Sequence, residues 1–371
     1  MKNLHRPAQF DLALRAALLV IFVLAVEWPG EPLVTLGPQQ SVTTNNPKAG
    51  VHTRLTDEGA IWKIQRNLQL VREMGAPWIV EFFPWAYIEH SKDAFDWWHT
   101  DQVIDQARTQ GLKVIARLGL VPAWARPDPL DKETTFNYID PDHYDDFGDF
   151  VQAFVDRYRG RVDYIIIWNE PNLSFEWGLR PVEAQAYVDL LKVAYRRAKE
   201  ANPKIVVLAG ALAPTLEPEG SPAGLNDLIY LQQMYDAGAK DFFDALAVHA
   251  YGVLAPLEEA PDPSRVNFRR VELLRGMMQR NGDGAKKVYI TEAGWNDSPR
   301  WNQAVTPARR IENTLQALDW VSDQDWIEVL ALWVFSYPQA THTFSDSWTF
   351  VTDDLRARPI YQEVQRALVQ P

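Results

Sequence analysis

The chain has 371 residues, of which 47% are hydrophobic and 23% are charged, as is usual for a soluble globular protein with a large core. The formal net charge of -12 argues against nucleic acid or an anionic membrane surface as the partner, because both require a basic face. The absence of cysteine excludes disulfides and thiolate metal sites.

The N-terminal segment differs from the rest of the chain. Basic residues precede or enter an apolar run of 11 residues, 16–26. This length suits the hydrophobic region of a secretory signal and is short for a spanning helix. We therefore expect residues 1–30 to be a signal peptide or a membrane anchor, with a buried helix as the alternative. The protein is then exported, either secreted or attached to the outside of a membrane. Residues 31–49 are predicted to form a polar linker.

From residue 50 onwards, short β-branched runs alternate with longer amphipathic segments. Eight runs predict strands, at 51–55, 78–83, 113–119, 163–168, 204–210, 244–251, 287–292 and 327–335. Apolar spacing near 3.6 predicts helices, for example over 183–201, 306–321 and 358–369. Near-continuous apolar strands that alternate with helices indicate a parallel sheet covered by helices. Eight such units favour a (β/α)8 TIM barrel over an open doubly wound sheet, with residues 50–371 as a single catalytic domain.

Two glutamates stand where predicted strands end. Glu170 follows the fourth strand in the stretch WNEPNL, and Glu292 ends the seventh in ITEAGW. Because a barrel builds its active site at the C-terminal ends of its strands, we expect both carboxylates at one mouth. Glycosidic bond cleavage requires such a pair, one group to donate a proton and one to attack or to activate water. A single glutamate after a strand would more often be a solvated acid at a loop.

The two stretches resemble the acid/base and nucleophile motifs of clan A retaining glycoside hydrolases. WNEPNL followed by FEWG is most similar to family 39, and the family 5 enzymes of cellulase type are also similar. The resemblance covers residues 50–370. It implies retaining hydrolysis of β-glycosidic bonds in a polysaccharide or oligosaccharide, with Glu170 as acid/base and Glu292 as nucleophile. This chemistry requires no cofactor and no metal.

The resemblance also implies roles for residues around the glutamates. Asn169 matches the asparagine that bonds the sugar 2-hydroxyl. His249 and Tyr251, in the stretch VHAYG, match a histidine and a tyrosine beside the nucleophile, and a tyrosine hydroxyl donated to the nucleophile favours its ionised form. A hydrogen-bonded core histidine is the alternative for His249. Trp333 matches a tryptophan platform under the reactive sugar.

The second predicted strand departs from this pattern. Several relatives have an arginine near the end of an early strand to support the nucleophile, where this chain has Glu81. Arg54 and Arg117 are the candidates to replace that arginine. Glu81 is then expected to face solvent or to bind substrate.

Loops after the strands contribute further indole rings, which can stack on sugars. These residues are Trp85, Trp124, Trp177, Trp295 and Trp348. Some are expected to be core residues, so the prediction concerns the group. The acidic run 140–147, where aspartates crowd around a histidine, suggests a metal site. Its place just ahead of an apolar helical pattern favours helix caps and N-terminal charges instead.

Three other functions have weaker support. A catalytically inactive carbohydrate-binding barrel would keep the tryptophans but has little reason to keep both glutamates with Asn169, His249 and Tyr251. A transglycosylase would use the same two glutamates, so it stays open as an alternative. An aldolase-type barrel needs a Schiff-base lysine on an inner strand, whereas Lys113 and Lys287 stand at strand starts.

Overall fold

A computed structural model describes residues 37–127 and 133–370 of the chain. The predicted signal or anchor segment, residues 1–30, and the first part of the predicted linker lie outside the described residues. Within the described ranges, no helix combines the length and the apolar character needed to cross a membrane.

Eight parallel strands close into a barrel in chain order, with the last strand paired to the first. The strands are β1 (Ala49–His52), β2 (Trp78–Pro84), β3 (Lys113–Gly119), β4 (Tyr164–Ile167), β5 (Val206–Leu212), β6 (Ala245–Tyr251), β7 (Val288–Gly294) and β8 (Ile327–Leu332). The described helices are α1 (Ile61–Met74), α2 (Trp85–Ile88), α3 (Trp98–Thr109), α4 (Tyr144–Arg157), α5 (Ala184–Ala201), α6 (Asp227–Asp236), α7 (Val271–Arg280), α8 (Pro307–Ser322) and α9 (Pro359–Val369). Short 3₁₀ segments occur at Ala123–Ala125, Pro141–His143, Phe175–Trp177, Lys240–Phe242, Phe268–Arg270 and Phe344–Trp348. The predicted (β/α)8 barrel is confirmed.

The strands bury side chains on both faces, because one face lines the barrel interior and the other meets the helices. In β4, Ile166 belongs to the interior cluster, whereas Ile165 and Ile167 pack in the layer between strands and helices. All three are fully buried. Each such side chain contributes about 1.5–3 kcal/mol through burial, so the strand that precedes Glu170 is held firmly from both sides.

The segment 38–48, which includes part of the predicted linker, packs along the barrel. The amide of Gln40 donates to the carbonyl of Thr109 (2.8 Å), and that of Asn45 donates to Leu368 (2.7 Å). The carbonyl of Pro47 accepts a hydrogen bond from the indole of Trp78 (2.9 Å), which lies in the barrel interior. These contacts fix this part of the segment against α3, α9 and the start of β2.

Glu81 corrects one prediction, because its side chain is fully buried and does not face solvent. Trp78 and Val80 of β2 line the barrel interior, so alternation turns Glu81 to the opposite face. Its carboxylate accepts hydrogen bonds from the Thr53 hydroxyl (2.6 Å) and the Leu55 amide (2.9 Å). These bonds shape the turn after β1, which ends at His52 instead of continuing to residue 55 as predicted.

The acidic run 140–147 lies at the start of α4, as its place in the sequence indicates. Asp145 and Asp146 occupy the first helical turn, where a negative charge is favourable. Asp146 also contacts Lys92 (2.7 Å) and His143 (2.8 Å). The run therefore has a local electrostatic role at a helix N-terminus.

Candidate active site

Glu170 lies just beyond β4, at the C-terminal end of the barrel, which we call the mouth. The backbone turns sharply there: Trp168 has φ 75° and Glu170 has φ 40°, both in the left-handed region. Such conformations cost about 1–3 kcal/mol each in residues other than glycine, and they concentrate at functional sites. The amide of Glu170 donates to the Ala211 carbonyl of β5 (3.1 Å), which helps to hold the strained turn.

Glu292 reaches the mouth through an irregularity in β7. Tyr289 points into the barrel interior, so strict alternation would turn Glu292 towards the helices. The pairing of β7 shifts register on both sides, and Glu292 then pairs with His249 of β6. Such irregularities redirect side chains near active sites. The carboxylate, in a residue only 6% exposed, lies among polar groups of β3 and β6.

Two donors hold the Glu292 carboxylate. Its Oε1 accepts a hydrogen bond from Arg117 Nη1 (3.0 Å), and its Oε2 accepts one from the Tyr251 hydroxyl (2.6 Å). Burial, followed by the charges of Glu292 and Glu170, raises the pKa of Tyr251 well above its usual range. The phenol therefore stays a donor, and Arg117 and Tyr251 together fix the orientation of the Glu292 carboxylate.

His249 links the two glutamates. Its Nδ1 lies 2.7 Å from Oε1 of Glu170 and 3.6 Å from Oε2 of Glu292. Burial lowers the pKa of His249, but the charge of Glu292 and the hydrogen bond and charge of Glu170 outweigh it, so the pKa is raised overall. When the imidazole carries a proton on Nδ1, it donates to Glu170. One oxygen of each glutamate and this nitrogen all lie within 4.8 Å of one another.

Of the two candidates, Arg54 and Arg117, it is Arg117 that contacts Glu292. Its Nη1 contacts both Glu292 and the Oδ1 of Asn169 (2.7 Å). Arg54 instead pairs with Asp57 (3.3 Å) at a more exposed position. The structure thus joins Asn169 to the nucleophile candidate through one guanidinium.

His52 was missed by the sequence analysis, although it ends β1 and so stands at the mouth. Its Nδ1 lies 2.7 Å from the carbonyl of Thr53 and must be the donor, because a carbonyl only accepts. Burial, reinforced by the charge of Arg117, lowers the pKa of His52 well below its usual range. The neutral ring presents an unprotonated Nε2, 3.7 Å from Glu292, and packs edge-on against Trp333 (4.7 Å).

Two pockets flank the paired glutamates. A pocket of about 410 Å³ includes Glu170 and Tyr251 and has an aromatic lining of Trp301, Trp333, Phe344 and Trp348. A second pocket of about 180 Å³ is more polar and includes Arg54, Arg117, Asn137, Asn169 and Glu176. A third pocket, of about 440 Å³, lies between the loops after β4 and β5 and contains neither glutamate. Proximity to the paired glutamates, and not size, makes the first two pockets the candidate substrate site.

Aromatic rings line much of the pocket of about 410 Å³, which is the larger of the two beside the glutamates. Trp333 directly follows β8, and the larger pocket is also lined by the predicted Trp348, whose ring meets Tyr251 edge-on (5.2 Å). Trp301 and Phe344 were not predicted. Their rings are stacked, with centroids 4.6 Å apart and 18° between the planes. They lie in loops after β7 and β8, whose paths the sequence alone does not indicate.

Three other predicted rings belong to the core, and their assignment to substrate binding is corrected. Trp85, Trp177 and Trp295 are at most 1% exposed. The indole of Trp85 donates to Glu89 (2.6 Å), and Trp295 stacks on Phe268 (5.4 Å). Their indole nitrogens or ring faces thus already contact other groups of the protein core.

Trp124 is half-buried on the loop after β3. Its indole nitrogen donates to the Glu89 carbonyl (3.0 Å), and its ring meets Trp85 edge-on. It lies outside the described linings of the two pockets at the mouth. The structure therefore does not bring Trp124 together with the glutamates.

The spacing of Glu170, His249 and Glu292 is also short enough for a metal ion. Their ligand atoms are engaged, however, because His249 bonds Glu170 and Arg117 already neutralises Glu292. The three side chains therefore already have partners within the protein.

Solved glycoside hydrolases share this fold. A family 39 glycoside hydrolase from the gut symbiont Bacteroides cellulosilyticus WH2 is similar with a TM-score of 0.66 and 19% identity, over 88% of this chain and 64% of that one. A monomeric beta-xylosidase from Caulobacter crescentus CB15 is similar with a TM-score of 0.64 and 18% identity, over 88% of this chain and 69% of that one. GH5_18 from Streptomyces cattleya, solved in complex with GlcNAc, is similar with a TM-score of 0.64 and 15% identity, over 88% of this chain and 80% of that one. This chain thus spans less than two thirds of the first of these proteins, and the likeness concerns the fold.

No curated protein matches the sequence. A family model described as the glycosyl hydrolase catalytic core matches residues 136–360, which include both glutamates and run from the loop after β3 into α9. Because that match covers more than half of the chain, the protein belongs to the glycosyl hydrolase catalytic core family.

Proposed function

We propose that the protein hydrolyses β-glycosidic bonds of a polysaccharide or oligosaccharide with retention of configuration at the anomeric carbon. Glu170 acts as acid/base and Glu292 as nucleophile. The two carboxyl groups are close together, because an oxygen of Glu170 lies within 4.8 Å of an oxygen of Glu292, and this closeness carries the proposal. Retaining enzymes place these groups about 5–5.5 Å apart, whereas inverting enzymes leave about 6.5–9.5 Å for a water.

In the first step, a carboxylate oxygen of Glu292 attacks the anomeric carbon while Glu170 delivers its proton to the departing glycosidic oxygen. Arg117 and Tyr251 keep Glu292 ionised and fix its orientation. The Oε1 of Glu170 lies 2.7 Å from His249 Nδ1, so the imidazole fixes the orientation of the acid/base carboxyl group. A covalent glycosyl-enzyme and a free leaving group result.

In the second step, Glu170 is a carboxylate and removes a proton from water. The water oxygen bonds to the anomeric carbon, and the electron pair of the bond to Glu292 returns to that carboxylate. Two inversions give overall retention. His249 donates a hydrogen bond to the Glu170 carboxylate during this step, so the charge that Glu170 gains is compensated.

Two features of the barrel mouth support a polysaccharide or oligosaccharide as the substrate. Trp333 and its neighbours offer flat faces for sugar rings, and the polar pocket around Asn169 offers amide and charged groups for hydroxyls. Two of the structures with this fold are described as a family 39 glycoside hydrolase and a beta-xylosidase, which favours a β-linked sugar here. We also propose export of the protein, on the basis of the apolar run 16–26 and its basic flank.

The roles of the glutamates are separable by experiment. With Glu170→Ala and an activated aryl β-glycoside, the glycosyl-enzyme forms but drains slowly, and azide restores turnover with retained configuration. With Glu292→Ala no covalent intermediate forms, and azide gives the product of inverted configuration. Glu200→Ala, at an exposed glutamate of α5, serves as the control with wild-type kinetics. Inverted product from the wild-type enzyme, determined by NMR of the first product formed, would contradict the proposal.

A further inference from the structure

A third carboxyl group, that of Glu176, lies at the mouth and has no part in the two steps above. It lines the smaller pocket together with Asn169 and Asn137. Its Oε2 accepts a hydrogen bond from Asn137 Nδ2 (2.8 Å), and its backbone carbonyl accepts one from the Trp168 indole (2.8 Å). Side chain and backbone of Glu176 are thus both fixed next to the two glutamates.

The carboxamide of Asn169 lies between Arg117 and Glu176. Its oxygen accepts the Arg117 hydrogen bond (2.7 Å), so its N–H donors are the groups that remain for other partners. The amide and the Glu176 carboxyl line the same pocket, and the amide favours the ionised form of that carboxyl group. A flipped amide would set N–H donors against the Arg117 guanidinium and its oxygen against the carboxylate, so the two neighbours together select one orientation.

We propose that Glu176 is a positioning residue that fixes the Asn169 carboxamide so that one N–H is presented to the sugar 2-hydroxyl. This inference rests on the proposed function and adds a residue to it. Glu176 acts through Asn169, by accepting the second N–H of the same amide group. The contact with the 2-hydroxyl strengthens in the transition state of such reactions, so an error in the amide orientation lowers the rate more than it weakens binding.

The charge of Glu176 depends on several groups that face it from different elements. Burial and then the charge of Glu170 raise the pKa of Glu176 to about 7, and the charge of Glu292 acts in the same direction. The Arg117 guanidinium and the Asn169 amide act in the opposite direction. Arg54 lines the same pocket. Near neutral pH the group therefore changes between a carboxylate that accepts from Asn169 and a carboxylic acid that can also donate.

A first test does not depend on catalysis. In ¹⁵N-labelled protein, the side-chain amide signals of Asn169, assigned by their loss in Asn169→Ala, should shift with a midpoint at about pH 7. Glu176→Gln should remove this titration. Amide signals that do not titrate near neutral pH, or that titrate unchanged in Glu176→Gln, would overturn the proposal.

A second test uses a matched pair of activated aryl glycosides with and without the 2-hydroxyl. Glu176→Ala should lose roughly tenfold or more in kcat on the 2-hydroxy substrate and much less on the 2-deoxy substrate. Glu89→Gln, at another buried glutamate outside the described linings of both pockets, should not change the ratio of the two rates. Equal losses of Glu176→Ala on both substrates would overturn the positioning role. If the wild-type enzyme turned over neither substrate, the proposed function would fail and the amide titration would still decide the role of Glu176.

Discussion

Ionisation of Glu176 should destabilise the folded protein, and Glu176→Gln should remove that effect. The pKa of Glu176 is raised from 4.5 to about 7, with burial as the main cause and the Glu170 charge as the second. At about 1.4 kcal/mol per pKa unit, this difference corresponds to roughly 3 kcal/mol between the protonated and ionised forms. A neutral glutamine of the same shape does not undergo this change.

The raised pKa of Glu176 determines how the stability of the folded protein changes with pH. The stabilisation linked to protonated Glu176 is fully present below its ordinary pKa of 4.5 and is lost as the pH rises through about 7. The free energy of unfolding of Glu176→Gln should therefore gain on that of the wild type by roughly 2–3 kcal/mol between about pH 4.5 and pH 8. Any constant difference from altered hydrogen bonds with Asn137 would shift the whole curve without changing its slope.

Urea unfolding of both proteins at about pH 5, 6, 7 and 8 measures this difference directly. Glu200→Gln, at an exposed glutamate, is the matched control and should show no such widening. Parallel stability curves for Glu176→Gln and the wild type would refute the reasoning, because they would mean that Glu176 ionises equally easily in the folded and unfolded chain.

Further predictions concern the Glu292 contacts, the aromatic surface and export. Tyr251→Phe removes a 2.6 Å hydrogen bond to Glu292 and should lower kcat/KM about 10- to 100-fold in steady-state assays, since a bond to a charged group contributes about 1.5–3 kcal/mol. Arg117→Leu should abolish turnover, whereas Arg54→Leu, at the rim, should retain most of it. Trp333→Ala should reduce activity severely while the circular dichroism spectrum is unchanged, and near-normal activity would mean that the ring does not carry the sugar. Mass spectrometry of the exported protein should show whether the apolar N-terminal run is removed or retained, and a full-length, freely soluble cytosolic product would contradict export.

The barrel could be predicted because each of its eight units repeats the same physical pattern. A buried parallel strand must be apolar on both faces, and the helix after it must be apolar on one face only. Glu170 and Glu292 could be found for the same reason, because each is a charged residue at the end of an apolar strand. Boundaries were less predictable: β1 ends at His52, and the Glu81 carboxylate accepts the backbone amide of Leu55 in the turn that follows.

Side-chain direction was the main source of error. Glu81 and Arg117 both lie in predicted strands near the mouth, and only the structure shows that Glu81 faces away from the interior while Arg117 faces Glu292. A shift of one residue reverses every side chain of a strand, so the sequence alone does not choose between such candidates.

The tryptophans illustrate a second limit. Trp295 and Trp301 both follow β7 closely, yet Trp295 is buried against Phe268 and Trp301 lines the larger pocket on Phe344. Burial of a loop residue depends on the path of the loop and on which side chains pack against it. Composition therefore indicated an aromatic site without indicating which rings form it.

The arrangement of charge at the mouth explains why protons are available there near neutral pH. Glu170, Glu176 and Glu292 bring three carboxyl groups together, and Arg117 supplies one permanent positive charge that contacts Glu292. Full ionisation of all three groups would leave uncompensated negative charge in a partly buried site, which is unfavourable. Burial, followed by the charge of Glu170, raises the pKa of Glu176, and the charges of Glu292 and Glu170 raise the pKa of His249 although burial alone would lower it. Glu292 accepts hydrogen bonds from Arg117 and Tyr251, whereas Glu170 contacts His249, and the proposed mechanism delivers the proton from the Glu170 side.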